Sequence, residues 1–258
     1  MSDTNCIKLS IITVCFNSEE YIEHALKSIQ CQRNRNFEYI VIDGGSTDST
    51  LKIIDYYKPS VTLFISEPDE GIADAMNKGI NKASGNYILF LGADDYLPAR
   101  DTIDSALHHI DGSSDFCIYD VFTENNGKRR LLRSKPFGWW TNFKMSACHQ
   151  GQVIAKSLFD RLGGFDTSYK YTMDYEFVMR AYRTGVRSSV INLPLSVMRL
   201  TGISSRRDWV SLKERFDEER RIHQKYCPSM FMRMVYSVYW TLYLPYRGCR
   251  SYFETAEY

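Results

Sequence analysis

Carboxylates stand directly after several apolar runs of this sequence, where they can bind a cation or accept a proton. Asp43 ends one such run, Asp69 follows a second, and the adjacent pair Asp94 and Asp95 follows a third. Two neighbouring carboxylates repel each other unless a cation compensates their charge. Mg²⁺ and Mn²⁺ prefer oxygen ligands and often bind one or two carboxylates together with substrate phosphates. The pair therefore predicts a divalent-cation site, and the alternative interpretation is a solvated loop.

Apolar runs and helical patterns alternate through the first half of the chain and predict the elements that position these acids. Short β-branched runs predict strands, and apolar residues at positions i, i+3, i+4 and i+7 predict amphipathic helices. The predicted strands cover residues 8–16, 37–43, 61–67, 86–92 and 115–122, with helices after residues 17, 48 and 71. Asn17 and Glu20 fit a capping box at the first helix. Such alternation implies a mostly parallel α/β sheet, whose ligands bind at the carboxyl ends of the strands.

The second half of the chain is less regular. Short helices are predicted at residues 157–162 and 173–184, each followed by glycine, and a strand at 187–192. The final stretch has the pattern of two helices, the second rich in aromatic residues. We therefore predict a catalytic domain over residues 1–205 and a C-terminal helical appendage over residues 206–258.

Composition excludes several other classes of protein. The chain has 258 residues, of which 44% are apolar, and 32 Lys and Arg stand against 31 Asp and Glu, so its charge favours no nucleic-acid partner. The seven cysteines are scattered, with no C-x-x-C pair, and the start of the chain is polar rather than signal-like. Free thiols and a cytoplasmic location are therefore predicted. The glycine-rich fingerprints of dinucleotide-binding and P-loop enzymes are absent from the sequence.

The order of several longer motifs resembles glycosyltransferase family 2. These motifs are LSIITVCFN, VIDGGSTDST, EPDEGIADAMNKGINKASGNYILFLGADD, GGFD and MDYEF, within roughly residues 8–205. Members of the family are inverting enzymes with the GT-A fold, which is a Rossmann-like, mostly parallel sheet flanked by helices. The resemblance implies transfer of a hexosyl or N-acetylhexosaminyl group from a nucleoside-diphosphate-sugar, with UDP-sugar favoured, to an acceptor hydroxyl.

A finer resemblance concerns the pair His149 and Gln150. With this pair, the chain is similar to bacterial transferases that build O-antigen, capsule and exopolysaccharide repeats. That similarity implies a saccharide acceptor linked to polyprenyl diphosphate. The two residues would contact the donor phosphates or the acceptor, and a structural histidine is an equally good interpretation.

The resemblance also implies roles for individual residues. Asp174, in the Asp-Tyr-Glu motif, would be the general base, and Asp95 would hold the metal ion. Asp43 would contact the uracil edge and Asp94 the ribose. The residues implied to bind the nucleotide-sugar are Val14, Phe16, Asp43, Asp69, Gly71, Asp74 and Asp94.

The reaction itself requires such groups. A departing nucleoside diphosphate carries charge that bound Mg²⁺ or Mn²⁺ neutralises as a Lewis acid. An acceptor hydroxyl is a poor nucleophile, and a carboxylate that takes its proton contributes about 10²–10⁴-fold. One base opposite the leaving group gives a single displacement and therefore inversion. Asp174 lies near a predicted helix start, where the macrodipole favours its ionised form, and a structural N-cap is the alternative interpretation.

Three positions depart from the family pattern. Gly44 and Gly92 stand where the family often carries acids, and Met173 stands where a Glu often precedes the base. The two glycines predict weaker affinity for metal or nucleotide, and Met173 predicts altered acceptor binding. A non-catalytic module that binds a sugar nucleotide or a lipid is the alternative to an enzyme. Such a module would not need Asp174.

Three further patterns carry weaker predictions. Trp139 and Trp140 are expected to pack in the core, with acceptor or lipid contact as the alternative. The basic segment 128–135 is expected to be a charged edge strand, with contact to an anionic lipid diphosphate as the alternative. The uncharged run 234–246, flanked by arginines, is too short to span a membrane. It predicts a helix in the interface at the inner face of the cytoplasmic membrane, or one packed on the catalytic domain or a second subunit.

Overall fold

The computed structural model describes residues 8–200 and 208–255, with side chains up to residue 248. The strands within these ranges are β1 (Leu9–Cys15), β2 (Phe37–Asp43), β3 (Leu63–Ser66), β4 (Tyr87–Phe90), β5 (Phe116–Asn125), β6 (Lys128–Leu132), β7 (Gln152–Ala155) and β8 (Ser188–Arg199). The helices are α1 (Ile22–Gln30), α2 (Thr50–Tyr57), α3 (Ile72–Lys82), α4 (Thr102–His108), α5 (Lys156–Leu162), α6 (Met173–Arg183), α7 (Trp209–Lys225) and α8 (Met230–Thr255). Short 3-10 turns cover Lys58–Ser60, Trp139–Asn142 and His149–Gly151.

All strands belong to one eight-stranded sheet, ordered β3-β2-β1-β4-β7-β5-β6, with β8 paired to β5. The four strands from β3 to β4 are parallel. Strand β7 then runs antiparallel to both β4 and β5, and β8 is parallel to β5. The predicted mostly parallel α/β sheet is confirmed for the first half of the chain, and the second half adds the antiparallel strands.

Apolar residues on both faces of the central strands explain the layered architecture. Ile11 belongs to a core cluster that also contains Leu26 of α1, whereas the next residue, Ile12, packs in the opposite cluster with Ile80 of α3 and Phe177 of α6. Successive side chains of a strand point to opposite faces, so a strand that is apolar throughout must be covered on both sides. The helices therefore lie in two layers around the sheet.

The start of α1 differs from the prediction. Tyr21 is the N-cap residue and makes no side-chain cap bond, so the capping box predicted from Asn17 and Glu20 was wrong. The backbone N–H of Thr47 instead donates to Asn17 Oδ1 at 2.9 Å. The Asn17 side chain therefore links the loop after β1 to the loop after β2. Its oxygen accepts from Thr47 rather than from the first amides of α1.

The second half of the chain contains elements that sequence patterns did not predict. Helix α4 and strand β7 were missed, since each is short. Strand β8 continues to Arg199, well beyond the predicted end at residue 192. Its pairing with β5 shifts register around Asp120, and this irregularity together with Pro194 hides the alternation that marks a strand.

The C-terminal helices α7 and α8 pack on each other through a third apolar cluster, built around Phe216, Tyr236 and Trp240. The opposite face of α8 is exposed. None of the helices in the described residues is long and apolar enough to cross a membrane. The predicted domain boundary at residue 205 lies outside the described residues.

The two tryptophans at residues 139 and 140 are not core residues. Trp139 is 65% exposed and Trp140 is 43% exposed, so the predicted core packing was wrong. Trp139 packs against Phe143, whose ring in turn contacts Tyr236 and Tyr239 of α8. The basic segment after Asn126 forms the exposed edge strand β6, as predicted.

Candidate active site

One cavity of about 1350 Å³ opens at the carboxyl ends of β1 and β4 and brings most of the predicted site residues together. The predicted residues that line it are Val14, Phe16, Asp69, Gly71, Asp94, Asp95, His149, Gln150 and Asp174. These residues come from five separate segments of the chain. The strand–helix topology therefore brings Asp69, Asp94 and Asp95 together as the parallel sheet predicted, but not Asp43.

Asp95 is a buried carboxylate with incomplete hydrogen bonding. It is 1% exposed, and the backbone N–H of Arg199 donates to its Oδ1 at 3.0 Å. Its Oδ2 is buried and has no hydrogen-bond partner. Burial and the neighbouring Asp94 charge raise the pKa of Asp95 to about 7, against smaller opposing effects from Arg199 and Gln150. A buried anion of this kind is stabilised by a cation.

Gly92 leaves the space in which the two carboxylates converge. A Cβ atom at this position would lie 2.5 Å from Asp95 Oδ2 and 2.9 Å from Asp94 Oδ1. At Gly44, a Cβ atom would overlap Asp69 Oδ2. A side chain at either position would collide with an aspartate of the site. This clash gives a steric reason why glycine stands where the family often carries an acid.

These features fit a divalent cation held partly by the protein. No three His, Cys, Asp or Glu side chains converge on a metal position within the part of the chain that the structure describes. A cation at Asp95 would therefore take its remaining ligands from water and substrate, as Mg²⁺ commonly does with phosphates. The partnerless Asp95 oxygen provides an oxygen donor for such an ion, and Asp94 and Asp95 both line the cavity in which the substrate phosphates would lie.

Asp174 lies in the first turn of α6 and lines the same cavity. Thr172 is the N-cap residue, so Asp174 does not serve as the N-cap. The backbone N–H of Tyr175 donates to Asp174 Oδ1 at 2.8 Å. Burial raises the pKa of Asp174, and this effect is partly offset by His149, by the Tyr175 N–H and by Arg215. A carboxylate with a raised pKa is better suited to accept a proton.

His149 packs against the core residue Phe90 and interacts electrostatically with Asp174. Its ring stacks on Phe90 with centroids 5.1 Å apart, and its Nε2 is buried without a hydrogen-bond partner. Burial lowers the pKa of His149, although Asp174 opposes this effect. The imidazole is therefore neutral at pH 7 and presents one ring nitrogen with unused hydrogen-bonding capacity.

Helix α7 holds the start of the helix that carries Asp174. The carboxylate of Glu218 accepts hydrogen bonds from the backbone N–H groups of Lys170, Tyr171 and Thr172, at 2.8, 2.9 and 2.9 Å. It also accepts one from Thr172 Oγ1 at 2.9 Å. The first N–H groups of a helix have no partner within it, and a carboxylate there is favoured by the dipole. Of these amides, only that of Thr172 belongs to the helix start, so Glu218 caps α6 through Thr172 and fixes the two residues before it.

A buried chain of hydrogen bonds connects α8 to α6. Trp240 Nε1, which can only donate, lies 3.0 Å from His223 Nδ1. His223 Nε2 therefore carries the proton and donates to the Tyr175 hydroxyl at 3.0 Å, which donates in turn to the Thr141 carbonyl at 2.9 Å. Burial and Arg183 lower the pKa of His223 to about 4, consistent with a neutral ring. Tyr175 adjoins Asp174, so this network fixes the backbone beside the Asp174 carboxylate.

Asp43 and Asp74 are not among the residues that line the cavity. Asp43 is fully buried and accepts hydrogen bonds from the backbone of Gly45 and Ser46 and from the hydroxyls of Ser46 and Ser66. Burial raises its pKa, but these bonds outweigh burial and lower it. Asp43 therefore organises the turn after β2. Its contact with the uracil ring of the donor stays a prediction. Asp74 pairs with Lys78 at 3.3 Å.

Several cavity residues were missed from the sequence. Arg215 and Glu219 of α7 and Arg247 of α8 line the cavity, as does Arg199 at the end of β8. Burial, together with Asp174, raises the pKa of Glu219 to about 7, while Arg215 and Arg247 lower it. Charged residues on an amphipathic helix normally predict a solvated face. The helical pattern therefore gave no signal that this face closes a cavity.

The family comparison agrees with this geometry. The model of Glycosyl transferase family 2 matches residues 10–184. A PGL/p-HBAD biosynthesis glycosyltransferase of Mycobacterium bovis is 32% identical over 185 residues, which cover 67% of this chain and 69% of that protein. An uncharacterized glycosyltransferase of Mycobacterium tuberculosis is 30% identical over 231 residues, covering 86% of this chain and 87% of that one.

Solved structures share the fold. A mannosyltransferase from Pyrobaculum calidifontis in complex with GDP-Man and Mn²⁺ has a TM-score of 0.65 at 18% identity, over 98% of this chain and 75% of that one. Residues 1–349 of S. aureus TarS in complex with UDP have a TM-score of 0.63 at 24% identity, over 84% of this chain and 64% of that one. The chain belongs to glycosyl transferase family 2 and is a glycosyltransferase with the GT-A fold.

Proposed function

We propose that this glycosyltransferase moves a hexosyl or N-acetylhexosaminyl group from a UDP-sugar to an acceptor hydroxyl, with inversion at the anomeric carbon. The acceptor would be a saccharide linked to a lipid, in the synthesis of a surface polysaccharide. The observation that carries the proposal is that one cavity contains both Asp95, with its partnerless oxygen, and Asp174. A non-catalytic binding module would have no use for the second carboxylate.

The donor would bind at the end of the cavity formed by the loops after β1, β3 and β4. Val14 and Phe16 would contact the nucleoside, while Asp69, Gly71 and Asp94 would contact the sugar and ribose. Asp95 would hold a divalent cation, Mg²⁺ or Mn²⁺, which supplies Lewis-acid neutralisation of the leaving diphosphate. The relatives in complex with GDP-Man and Mn²⁺, and with UDP, support a sugar-nucleotide donor and a cation.

Asp174 would act on the acceptor. As the acceptor oxygen bonds to the anomeric carbon, the bond from that carbon to the donor phosphate breaks, and the hydroxyl proton passes to the Asp174 carboxylate. The helix cap from Glu218 and the Tyr175 network hold this carboxylate in place. His149 and Gln150 line the same cavity and would contact the donor phosphates or the acceptor.

Helix α8 would place the enzyme on the inner face of the cytoplasmic membrane. Large apolar side chains are exposed along one side of it at helical spacing, namely Met230, Phe231, Met234, Val238, Leu242 and Tyr246. Arg233 is exposed on the same helix. An apolar stripe with basic neighbours suits a helix that lies in the interface of an anionic membrane. Peripheral contact of this kind would bring the cavity close to a lipid-linked acceptor.

The donor is identified by incubating the purified protein with Mn²⁺ and a panel of UDP-, GDP- and TDP-sugars. We expect slow hydrolysis of one UDP-sugar without an acceptor, and its loss in the presence of a chelator. Hydrolysis of a GDP-sugar alone would contradict the UDP assignment. If no sugar nucleotide is bound or hydrolysed with any divalent ion, the proposed reaction is wrong.

A further inference from the structure

Trp140 presents a large aromatic surface to the cavity. It is 43% exposed and lines the cavity, whereas its neighbour Trp139 does not line it. Trp139 packs on Phe143, with ring centroids 4.8 Å apart. No other aromatic ring among the described residues packs against Trp140. The two adjacent tryptophans therefore have different surroundings, and the ring of Trp140 is the one open to a substrate.

The Trp140 ring is held in position although it is exposed. Its Nε1 donates to the Pro136 carbonyl at 3.0 Å. Its six-membered ring packs closely against Gly138, where a Cβ atom would lie 2.8 Å from the ring. A side chain at residue 138 would therefore displace the ring. An aromatic ring that is fixed before binding loses little conformational entropy when a ligand covers it.

The turn that carries Trp140 is attached to the helix that carries Asp174. The backbone N–H of Thr141 donates to the Gly138 carbonyl at 2.9 Å, which closes the turn. Thr141 is buried, and its own carbonyl accepts from the Tyr175 hydroxyl at 2.9 Å. Trp140 and Asp174 thus adjoin the two ends of one buried hydrogen bond. This bond holds the aromatic ring and the carboxylate in a fixed relation within the same cavity.

The cavity surface near Trp140 combines the aromatic ring with cationic side chains. Lys144, whose backbone N–H donates to the Trp140 carbonyl at 3.2 Å, is exposed and lines the cavity, as does Lys135. A pyranose has an apolar face of C–H groups and an edge of hydroxyl groups. The negative face of an aromatic ring attracts the partly positive C–H hydrogens, and ammonium groups donate to hydroxyl oxygens. A hydrocarbon chain would match the ring but offers the ammonium groups no acceptor.

We propose that Trp140 is the platform on which the sugar ring of the acceptor stacks, so that this sugar must offer an apolar face of C–H groups. This inference rests on the proposed function, in which Asp174 takes the proton of the acceptor hydroxyl. The donor would occupy the acidic end of the cavity, which carries Asp69, Asp94 and Asp95. Trp140 instead lies between β6 and β7, on a turn attached to α6. Stacking there fixes the plane of the acceptor sugar relative to the Asp174 carboxylate.

Saturation-transfer NMR of methyl glycosides tests this subsite. The protein is saturated with UDP and Mg²⁺, so that the donor position is filled, and the panel contains the methyl glycosides of glucose, galactose, mannose, rhamnose and N-acetylglucosamine. We expect at least one glycoside to receive saturation at the ring hydrogens of one face. Trp140→Ala should weaken its binding about tenfold, through loss of the aromatic contact. Trp139→Ala is the matched control, since Trp139 lies on the same turn without lining the cavity, and it should bind as the wild type does.

Two further variants separate stacking from folding. Gly138→Ala keeps both tryptophans but displaces the Trp140 ring, so it should also weaken glycoside binding. Trp140→Phe keeps a smaller ring without the bond to Pro136, and a smaller loss is expected. These two variants decide the outcome if Trp140→Ala does not fold. Wild-type affinity in Trp140→Ala, or equal weakening by Trp139→Ala, would overturn the proposal.

Octanoate, which has a hydrocarbon chain and no sugar ring, is measured in the same way. Saturation of octanoate that depends on Trp140, with none of any glycoside, would show a lipid-binding ring and overturn the proposal. The UDP signals of the same sample report donor binding. A protein that binds UDP but no glycoside at Trp140 would disprove the subsite alone. A protein that binds a glycoside at Trp140 but no sugar nucleotide would disprove the donor proposal.

Discussion

One end of the cavity carries Asp69, Asp94 and Asp95, and the other is formed by α7 and α8; the two ends are built in different ways. The acidic end consists of residues that directly follow the parallel strands, so each is positioned by its own strand and by a short loop. The end formed by α7 and α8, which contributes Arg215, Glu219 and Arg247, depends on the packing of α7 against α6 and of α8 against α7. The first kind of site can be recognised from local sequence motifs. The second requires tertiary contacts, and the family match, which ends at residue 184, does not include its helices.

The largest effect is expected where the two ends meet, at Asp174. Asp174→Asn should lower the transfer rate by about 10²–10⁴-fold, because an amide cannot take the acceptor proton. Donor affinity should stay within a few-fold, as measured by titration with UDP and Mn²⁺. Asp166→Asn is the control, since Asp166 precedes the same helix but pairs with Lys225 at 3.1 Å outside the cavity. Unchanged turnover in Asp174→Asn would exclude this residue as the base.

Asp95→Asn should weaken the binding of UDP with Mn²⁺ and, at the same time, raise the stability of the metal-free protein. The substitution should abolish the enhancement of UDP binding by Mn²⁺, because the neutral amide is a poor cation ligand. It should also stabilise the metal-free protein at pH 8. The pKa of Asp95 rises from 3.8 in the unfolded chain to about 7 in the folded one, so its stabilising contribution is present below pH 3.8 and is lost as pH rises through 7.

The stability gain at pH 8 should be about 1–4 kcal/mol, since each unit of pKa corresponds to about 1.4 kcal/mol. Urea unfolding of both proteins in chelator, at pH 5 and at pH 8, measures it. In wild-type protein, Mn²⁺-dependent UDP binding should strengthen as pH rises through about 7, because the cation competes with a proton for Asp95. Binding enhancement that persists in Asp95→Asn would place the metal on other residues.

Glu218→Gln tests whether the C-terminal helices control the base without touching substrate. An amide can accept only part of the hydrogen bonds that the carboxylate accepts, so the start of α6 should loosen and kcat should fall, by up to about 10²-fold. The donor KM should not change, because the acidic end is built independently. Glu214→Gln is the control on the same helix, since Glu214 binds only the exposed Tyr171 hydroxyl at 2.8 Å. A rise in donor KM equal to the fall in kcat would indicate general unfolding.

The smallest effect is expected from Tyr175→Phe. Removal of the hydroxyl leaves His223 Nε2–H without an acceptor and the Thr141 carbonyl without this donor. The free energy of unfolding should fall by about 1–3 kcal/mol, the cost of an unsatisfied buried polar group. Chemical denaturation measures this, with Tyr171→Phe as the control, since Tyr171 is only half-buried and its hydroxyl donates to the exposed Glu214. Equal stability of the two variants would mean that the network from α8 does not hold α6.

Sequence patterns predicted the parts of the site that strand ends determine. Asp94 and Asp95 follow a buried run, and such runs end at the ligand-binding edge of a parallel sheet. Asp174 was found through a family motif, because on its own it resembles any acid in a first helical turn. Asn17 was assigned wrongly, since its side chain could cap a helix or bind a distant loop, and only the folded structure decides between these partners.

Glu219 and Arg247 could not be found from sequence. Charge on a helix predicts exposure unless the surface that the helix covers is known. Trp139 was assigned to the core on the basis of residue type, but it lies on the surface near α8. These failures share one cause, because each residue depends on contacts between elements that are far apart in the chain.

The cap that Glu218 provides also affects the order in which the protein becomes active during synthesis. The last strand of the sheet ends at Arg199, so a growing chain can complete the sheet before Glu218 leaves the ribosome. Until then, the amides of Lys170, Tyr171 and Thr172 lack the acceptor that the finished protein gives them, which in the case of Thr172 comes 46 residues later. A chain that terminates early would retain the loops after β3 and β4 but would lack this support for Asp174, the proposed base, so we expect transfer to begin only after translation has reached the C-terminal helices.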